Sequence, residues 1–162
     1  MIILDVLLDA CGAAGQGALM PSWNDFETAA PELAARVRAR LDAHTHKTLA
    51  TLRQDGSPRI SGTESRFEDG QLLIGSMPDA LKARDLRRDP RFALHSGSDE
   101  PDDWKGDAKL AGVVEELAGD GKSHTFRLDV REVSTVGLND DRNRLVIDVW
   151  TPDRGVRRIE RE

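Results

Sequence analysis

Arg59, Ser76 and Lys82 are the residues whose types could do chemistry together. An arginine, a hydroxyl and a lysine are what grips a phosphoryl group: the two cations make charge-assisted hydrogen bonds and the serine adds a neutral donor. They lie on separate segments, so they meet only if the chain folds back between them. Asp55-Gly56 and Asp69-Gly70 allow that, because such pairs supply the positive backbone φ of tight hairpin turns. From Lys47 to Ser96 the chain then reads as strand, turn, strand, turn, strand, a short basic helix over 80–88, and another strand. Free N–H groups at the start of that helix would join the same anion.

The strands differ in pattern. Ile60 and Phe67 punctuate a polar run, which predicts one wet face, whereas Leu72-Leu73-Ile74 is continuously apolar and predicts burial on both sides. Gly62 and Gly75 stand inside these strands, where glycine marks a bend or the close approach of a ligand.

A chain of 162 residues with 38% hydrophobic and 32% charged residues is long enough for one domain with a sizeable core. A net charge of −6 disfavours nucleic acid and acidic membranes as partners, as does the scarcity of aromatics for base stacking. Basic residues nonetheless cluster at Lys82, Arg84, Arg87, Arg88 and Arg91, and again at Arg154, Arg157, Arg158 and Arg161. A local basic site on an acidic protein suits a small phosphorylated ligand. The single cysteine, Cys11, excludes an internal disulfide and fits a cytoplasmic protein. Residues 1–19 are apolar but lack a basic flank and carry Asp5 and Asp9, so neither a secretory signal nor a membrane span fits. The expectation is a dispensable extension over 1–19, with translation beginning at Met20, and one domain over 20–162.

Residues 22–43 read as helix, with Pro31 opening the main segment and Leu33, Val37 and Leu41 forming an apolar stripe. Beyond the central stretch come an acidic loop, strands over AKLAGVVEEL and SHTFRLDV, another around Ser134–Leu138, and RLVIDVW after a polar turn. The elements predict a mainly β fold, an antiparallel split β-barrel with an N-terminal helix and a short inserted helix. His44 and His46 have no evident third ligand for zinc, and Asp99, Glu100, Asp102 and Asp103 lack the spacing of a calcium loop. No metal site is expected. Trp150 reads as core or interface, while Trp104 suits either covering a ring system or burial.

The order of elements resembles the pyridoxamine 5′-phosphate oxidase-like family, the FMN-binding split barrels, over roughly residues 44–160. The resemblance implies a homodimer with cofactor in the cleft between subunits. It also implies cofactor contacts from Arg59-Ile60-Ser61-Gly62-Thr63, from Gly75-Ser76 and from Lys82. Leu81 occupies the slot where the oxidases carry an arginine. Glu64 stands where those enzymes carry a cation, and no match to their pyridoxal phosphate-binding residues is found. The expected activity is therefore hydride transfer to or from another small organic substrate, with FMN as cofactor. Alternatives are the 8-hydroxy-5-deazaflavin coenzyme of related reductases, and a non-catalytic flavin or haem binding or storage protein. The chain has no tyrosine, so solvent or a histidine would serve as proton donor.

Overall fold

The computed structural model describes residues 20–119 and 121–162, so the expected extension at 1–19 lies outside the described residues. Helix α1 spans Trp23–Ala29 and α2 spans Pro31–Ala43. The Ser22 hydroxyl accepts from the Asp25 N–H, and the Asp25 carboxylate accepts from the Ser22 N–H at 2.9 Å, so both ends of a capping box are made. The one helix expected over 22–43 is interrupted at Ala30, whose φ of −144° lies outside the helical range. Proline then restarts the chain, as expected.

Both helices pack onto the sheet. Trp23, Phe26, Leu33, Val37 and Leu41 are fully buried. Phe26 meets Trp150 at 4.8 Å between ring centroids, which places Trp150 in the core.

Nine strands follow among the described residues: β1 (Lys47–Leu52), β2 (Pro58–Thr63), β3 (Ser65–Glu68), β4 (Gln71–Ser76), β5 (Arg91–His95), β6 (Asp107–Glu116), β7 (His124–Leu138), β8 (Leu145–Thr151) and β9 (Gly155–Arg161). The third helix, α3 (Leu81–Arg88), is inserted between β4 and β5. The wall runs β2-β1-β5-β6-β7-β4-β3, antiparallel throughout. Its two end strands are consecutive in the chain and separated only by Glu64. The wall thus returns on itself through a corner of the backbone instead of a closing ladder, which is a split barrel. The single long strand suggested by the polar run around Ile60 and Phe67 is divided at that corner.

Strand β7 merges two segments that read separately in the sequence. Its first part pairs with β4 and its last part with β8, so one long strand belongs to both halves of the sheet. Opposite β6, the register shifts between Ala111 and Gly112, where Arg131 is the extra residue. A Cβ on Gly112 would run into the Asp129 carbonyl oxygen. Only glycine fits there. Leu49, Leu94, Leu110 and Val133 point inward, and Leu72, Leu73 and Ile74 are all buried, as their continuous run predicts.

Candidate functional site

Strand β2 is an edge strand, and its alternation divides the expected contact run between two faces. Arg59, Ser61 and Thr63 pair with Thr51, Leu49 and Lys47 and share their inward side. Ile60 and Gly62 pair with Ala50 and Thr48 and face outward, with Ile60 69% exposed. A small ligand can therefore meet the side chains of one set and only the backbone of the other.

Helix α3 is anchored by a buried carboxylate. Asp85 accepts from Arg59 Nε at 2.6 Å, from Thr51 Oγ1 at 2.9 Å and from an Arg88 terminal nitrogen at 3.0 Å. Burial pushes the Asp85 carboxyl up, but hydrogen bonds from Arg59, Arg88 and Thr51 outweigh it and hold the group below its ordinary value. Arg59 is thus committed to a partner within the chain. Sequence reasoning missed Asp85, although an aspartate amid the basic residues of a short helix was the available signal.

Lys82 sits in the first turn of α3 and is half-buried. Its ammonium donates to the Gly62 carbonyl at 2.8 Å, covering the open edge of β2. Burial lowers its pKa, while the carboxylate of Glu64 opposes the fall. Glu64 also acts on Lys47, a 5% exposed lysine whose pKa burial lowers and which donates to the Thr45 carbonyl at 3.2 Å.

Ala80, the residue before α3, caps the helix with no side chain. The Ala83 amide donates back to the Ala80 carbonyl at 3.0 Å, and the amides of Leu81 and Lys82 have no side-chain cap. Leu81 is 55% exposed beside them. Ser76 is nearly buried at the end of β4, its hydroxyl 3.4 Å from the Met77 carbonyl. The structure thus brings Gly62, Leu81 and Lys82 to the N-terminal end of α3, whereas Arg59 meets the helix further along, at Asp85. It leaves Ser76 at the start of the connection leading there, with Gly75 before it. A Cβ on Gly62 or Gly75 would meet no protein atom within 4 Å. The strand surface above both glycines is open.

Beside Ser76, His124 of β7 is held by Glu116 at 2.7 Å, and Glu116 is held in turn by Arg87 at 2.7 Å. A cavity of about 650 Å³ lies at the other end of β7, among Arg36, Arg40, Trp104, Asp107 and Arg158. There the Trp104 indole donates to Asp107 at 2.9 Å, while Arg36 and Arg158 both bind buried Asp148 at 2.6 and 2.8 Å. His44 faces Asp99 at 3.0 Å and His46 faces Glu64 at 3.8 Å.

The fold is a split barrel, with an open strand surface beside a helix start that has no side-chain cap. The chain belongs to the pyridoxamine 5′-phosphate oxidase family: residues 33–147 match that family's sequence model. Solved structures share the fold at low identity. PhzG from Burkholderia lata 383, in complex with tetrahydrophenazine-1-carboxylic acid, matches with a TM-score of 0.62 at 12% identity, over 90% of this chain and 98% of that one. A pyridoxamine 5′-phosphate oxidase-related, FMN-binding protein from Nostoc punctiforme matches with a TM-score of 0.58 at 12% identity, over 79% and 94%. A haem-binding protein from Mycobacterium smegmatis gives 0.56 at 22% identity, over 84% of this chain and 60% of that one. Among the described residues, no helix is long and apolar enough to cross a membrane.

Proposed function

We propose that this protein binds FMN and works as an oxidoreductase on a small organic substrate, as a homodimer with the cofactor in the cleft between subunits. One observation carries the reading. The start of α3 has no side-chain cap, and the half-buried Lys82 ammonium stands beside it at the Gly62 carbonyl. Uncapped amides together with a cation suit a phosphate monoester. An ammonium has three N–H groups, so one bond to Gly62 leaves two for a ligand.

The open surfaces over Gly62 and Gly75 allow a flat ring system to approach the backbone. Bound FMN supplies the hydride chemistry; the chain supplies grip and orientation. Lys82, the first amides of α3 and the Ser76 hydroxyl hold the phosphate. Asp85 fixes Arg59 and keeps α3 seated on the wall.

The deazaflavin coenzyme is a second reading, favoured by the charge count at the cradle. Arg59 and Arg88 share Asp85, and Glu64 stands near Lys82, so three cations face two carboxylates and about one net positive charge remains. A phosphodiester carries one negative charge, whereas the FMN monoester carries nearly two.

Titrating the full chain with FMN, riboflavin and the deazaflavin coenzyme, followed by fluorescence, tests both. FMN binding tighter than riboflavin supports the phosphate cradle, and equal affinity rejects it. Binding of the deazaflavin coenzyme alone selects the second reading. A Soret band in the purified protein would favour haem instead.

A further inference from the structure

The cavity of about 650 Å³ shares no residue with the start of α3, and its volume falls within the range of small-molecule sites. Helix α2 forms one side, where Arg36 and Arg40 stand one turn apart and both line the space. The ladders pair Thr135 with Asp148 and Asp148 with Arg158, so β7, β8 and β9 contribute one row to the lining. Gly137, two residues further along β7, would meet no protein atom with a Cβ, so the strand surface is open there. Trp104 and Asp107 complete the lining from the start of β6.

The guanidiniums hold donors in reserve. Buried Asp148 accepts from Arg36 through one terminal nitrogen at 2.6 Å, and from Arg158 through Nε and a terminal nitrogen at 2.8 and 2.9 Å. The Arg158 hydrogen bonds hold the Asp148 carboxyl below its ordinary value, so it stays charged and cancels one of the two cations. Arg40 is only 20% exposed, and its contact is an ion pair at 3.6 Å with Asp99, which His44 also faces. A guanidinium carries five N–H groups, so a mostly buried Arg40 without a hydrogen bond among the described residues has donors to present to the cavity. Arg36, Arg40 and Arg158 against Asp148 and Asp99 leave about one positive charge on that side. At the rim, Lys105 and Arg142 are matched in number by Asp140 and Glu160. Asp107 is occupied by Trp104 and Ser98 at 2.9 Å each and faces His95 at 3.4 Å.

Trp104 adds a flat apolar surface. Its indole N–H is fixed on Asp107, and among the described residues no other ring or guanidinium packs on it, whereas Trp23 and Trp150 both meet Phe26 in the core. Arginine matches a carboxylate through its paired N–H groups, and an exposed indole face stacks a planar ring. We propose that this cavity binds an aromatic carboxylate, its carboxylate held by Arg40 and Arg36 and its ring laid on Trp104. About one net positive charge suits such a monoanion better than a phosphate monoester, so the site differs in ligand class from the start of α3. It stands independently of the cofactor reading.

The experiment titrates the full chain with benzoate, benzamide and cyclohexanecarboxylate, followed by tryptophan fluorescence and by calorimetry. Benzoate should bind saturably, in the millimolar range or tighter. Benzamide, which lacks the charge, should bind about tenfold more weakly or worse. Cyclohexanecarboxylate, which lacks the flat ring, should bind about threefold more weakly or worse. Arg40→Gln should weaken benzoate by about tenfold or more and leave benzamide unmoved, with far-UV circular dichroism retained. If that variant does not fold, Arg36→Gln, at a side chain 45% exposed, carries the same expectation. Trp104→Leu should remove the fluorescence response while calorimetry still detects weaker benzoate binding. Absence of saturable benzoate binding, equal affinity for benzoate and benzamide, or an arginine variant that binds benzoate as wild type does overturns the site. Excess FMN should leave benzoate affinity unchanged; displacement would put the carboxylate in the cofactor site and overturn a separate one. The FMN and riboflavin titrations at Lys82 are read apart from these, so failure of one proposal does not resemble failure of the other.

Discussion

Replacing Lys82 by alanine separates a ligand-holding lysine from a merely structural one. In the structure the side chain makes one hydrogen bond, to the Gly62 carbonyl, and its remaining N–H groups are available. A hydrogen bond involving a charged group contributes about 1.5–3 kcal/mol. At about 1.4 kcal/mol per tenfold change, Lys82→Ala should weaken FMN binding by roughly 10- to 150-fold. Riboflavin has the same ring and polyol but no phosphate, so its affinity should not move. Folding stability should fall by about 1 kcal/mol or less, because the carbonyl left behind lies on an open strand edge that water reaches. There is also a pH signature. Burial lowers the Lys82 pKa, so its charge is lost at lower pH than for an ordinary lysine. FMN affinity should decline with rising pH before the usual lysine range near 10.4 is reached, and the alanine variant should not show that decline. Fluorescence titrations of both ligands against both proteins measure all of this. A Lys82→Ala protein that binds FMN as tightly as wild type would refute the cradle and redirect attention to the cationic cavity near Trp104.

Asp85→Ala should lower stability by about 3 kcal/mol, measured by urea unfolding, because it strands Arg59, Arg88 and Thr51 around a buried site. The folded-state pKa of Asp85 is depressed, so its contribution is present above the unfolded value near 3.9 and is lost as pH falls through the folded value. The acid limb of the stability profile should therefore flatten in the variant, and an unchanged limb would count against this account. Gly112→Ala should destabilise by about 1–3 kcal/mol, since its Cβ meets the Asp129 carbonyl; a melting temperature within error of wild type would show that the bulge can relax. A chain beginning at Met20 should keep its melting temperature within about 5 °C, because docking onto β7 already occurs where the Val130 N–H donates to the Pro21 carbonyl at 2.8 Å. A larger drop would mean that residues 1–19 contribute to the fold.

Local chemistry carried much of this protein into the sequence. Asp55-Gly56 and Asp69-Gly70 announced their hairpins, and Gly56 and Gly70 do adopt φ values of +82° and +72°. Leu33, Val37 and Leu41 announced the buried stripe of α2, and Leu72-Leu73-Ile74 a strand buried on both faces. These features depend on residues close in the chain, where φ preference and side-chain period act directly. The joining of β7 across two expected strands was not legible, because its continuity depends on pairing with β6, β4 and β8 rather than on its own composition. The division of Arg59–Thr63 between two faces follows from alternation, but which face turns inward was set by pairing with Leu49 and Thr51. The sequence marked Arg59 and Lys82 alike as cations. Only the tertiary structure distinguished them, because neutralisation by Asp85 and proximity to the Gly62 carbonyl are long-range contacts between α3 and β2.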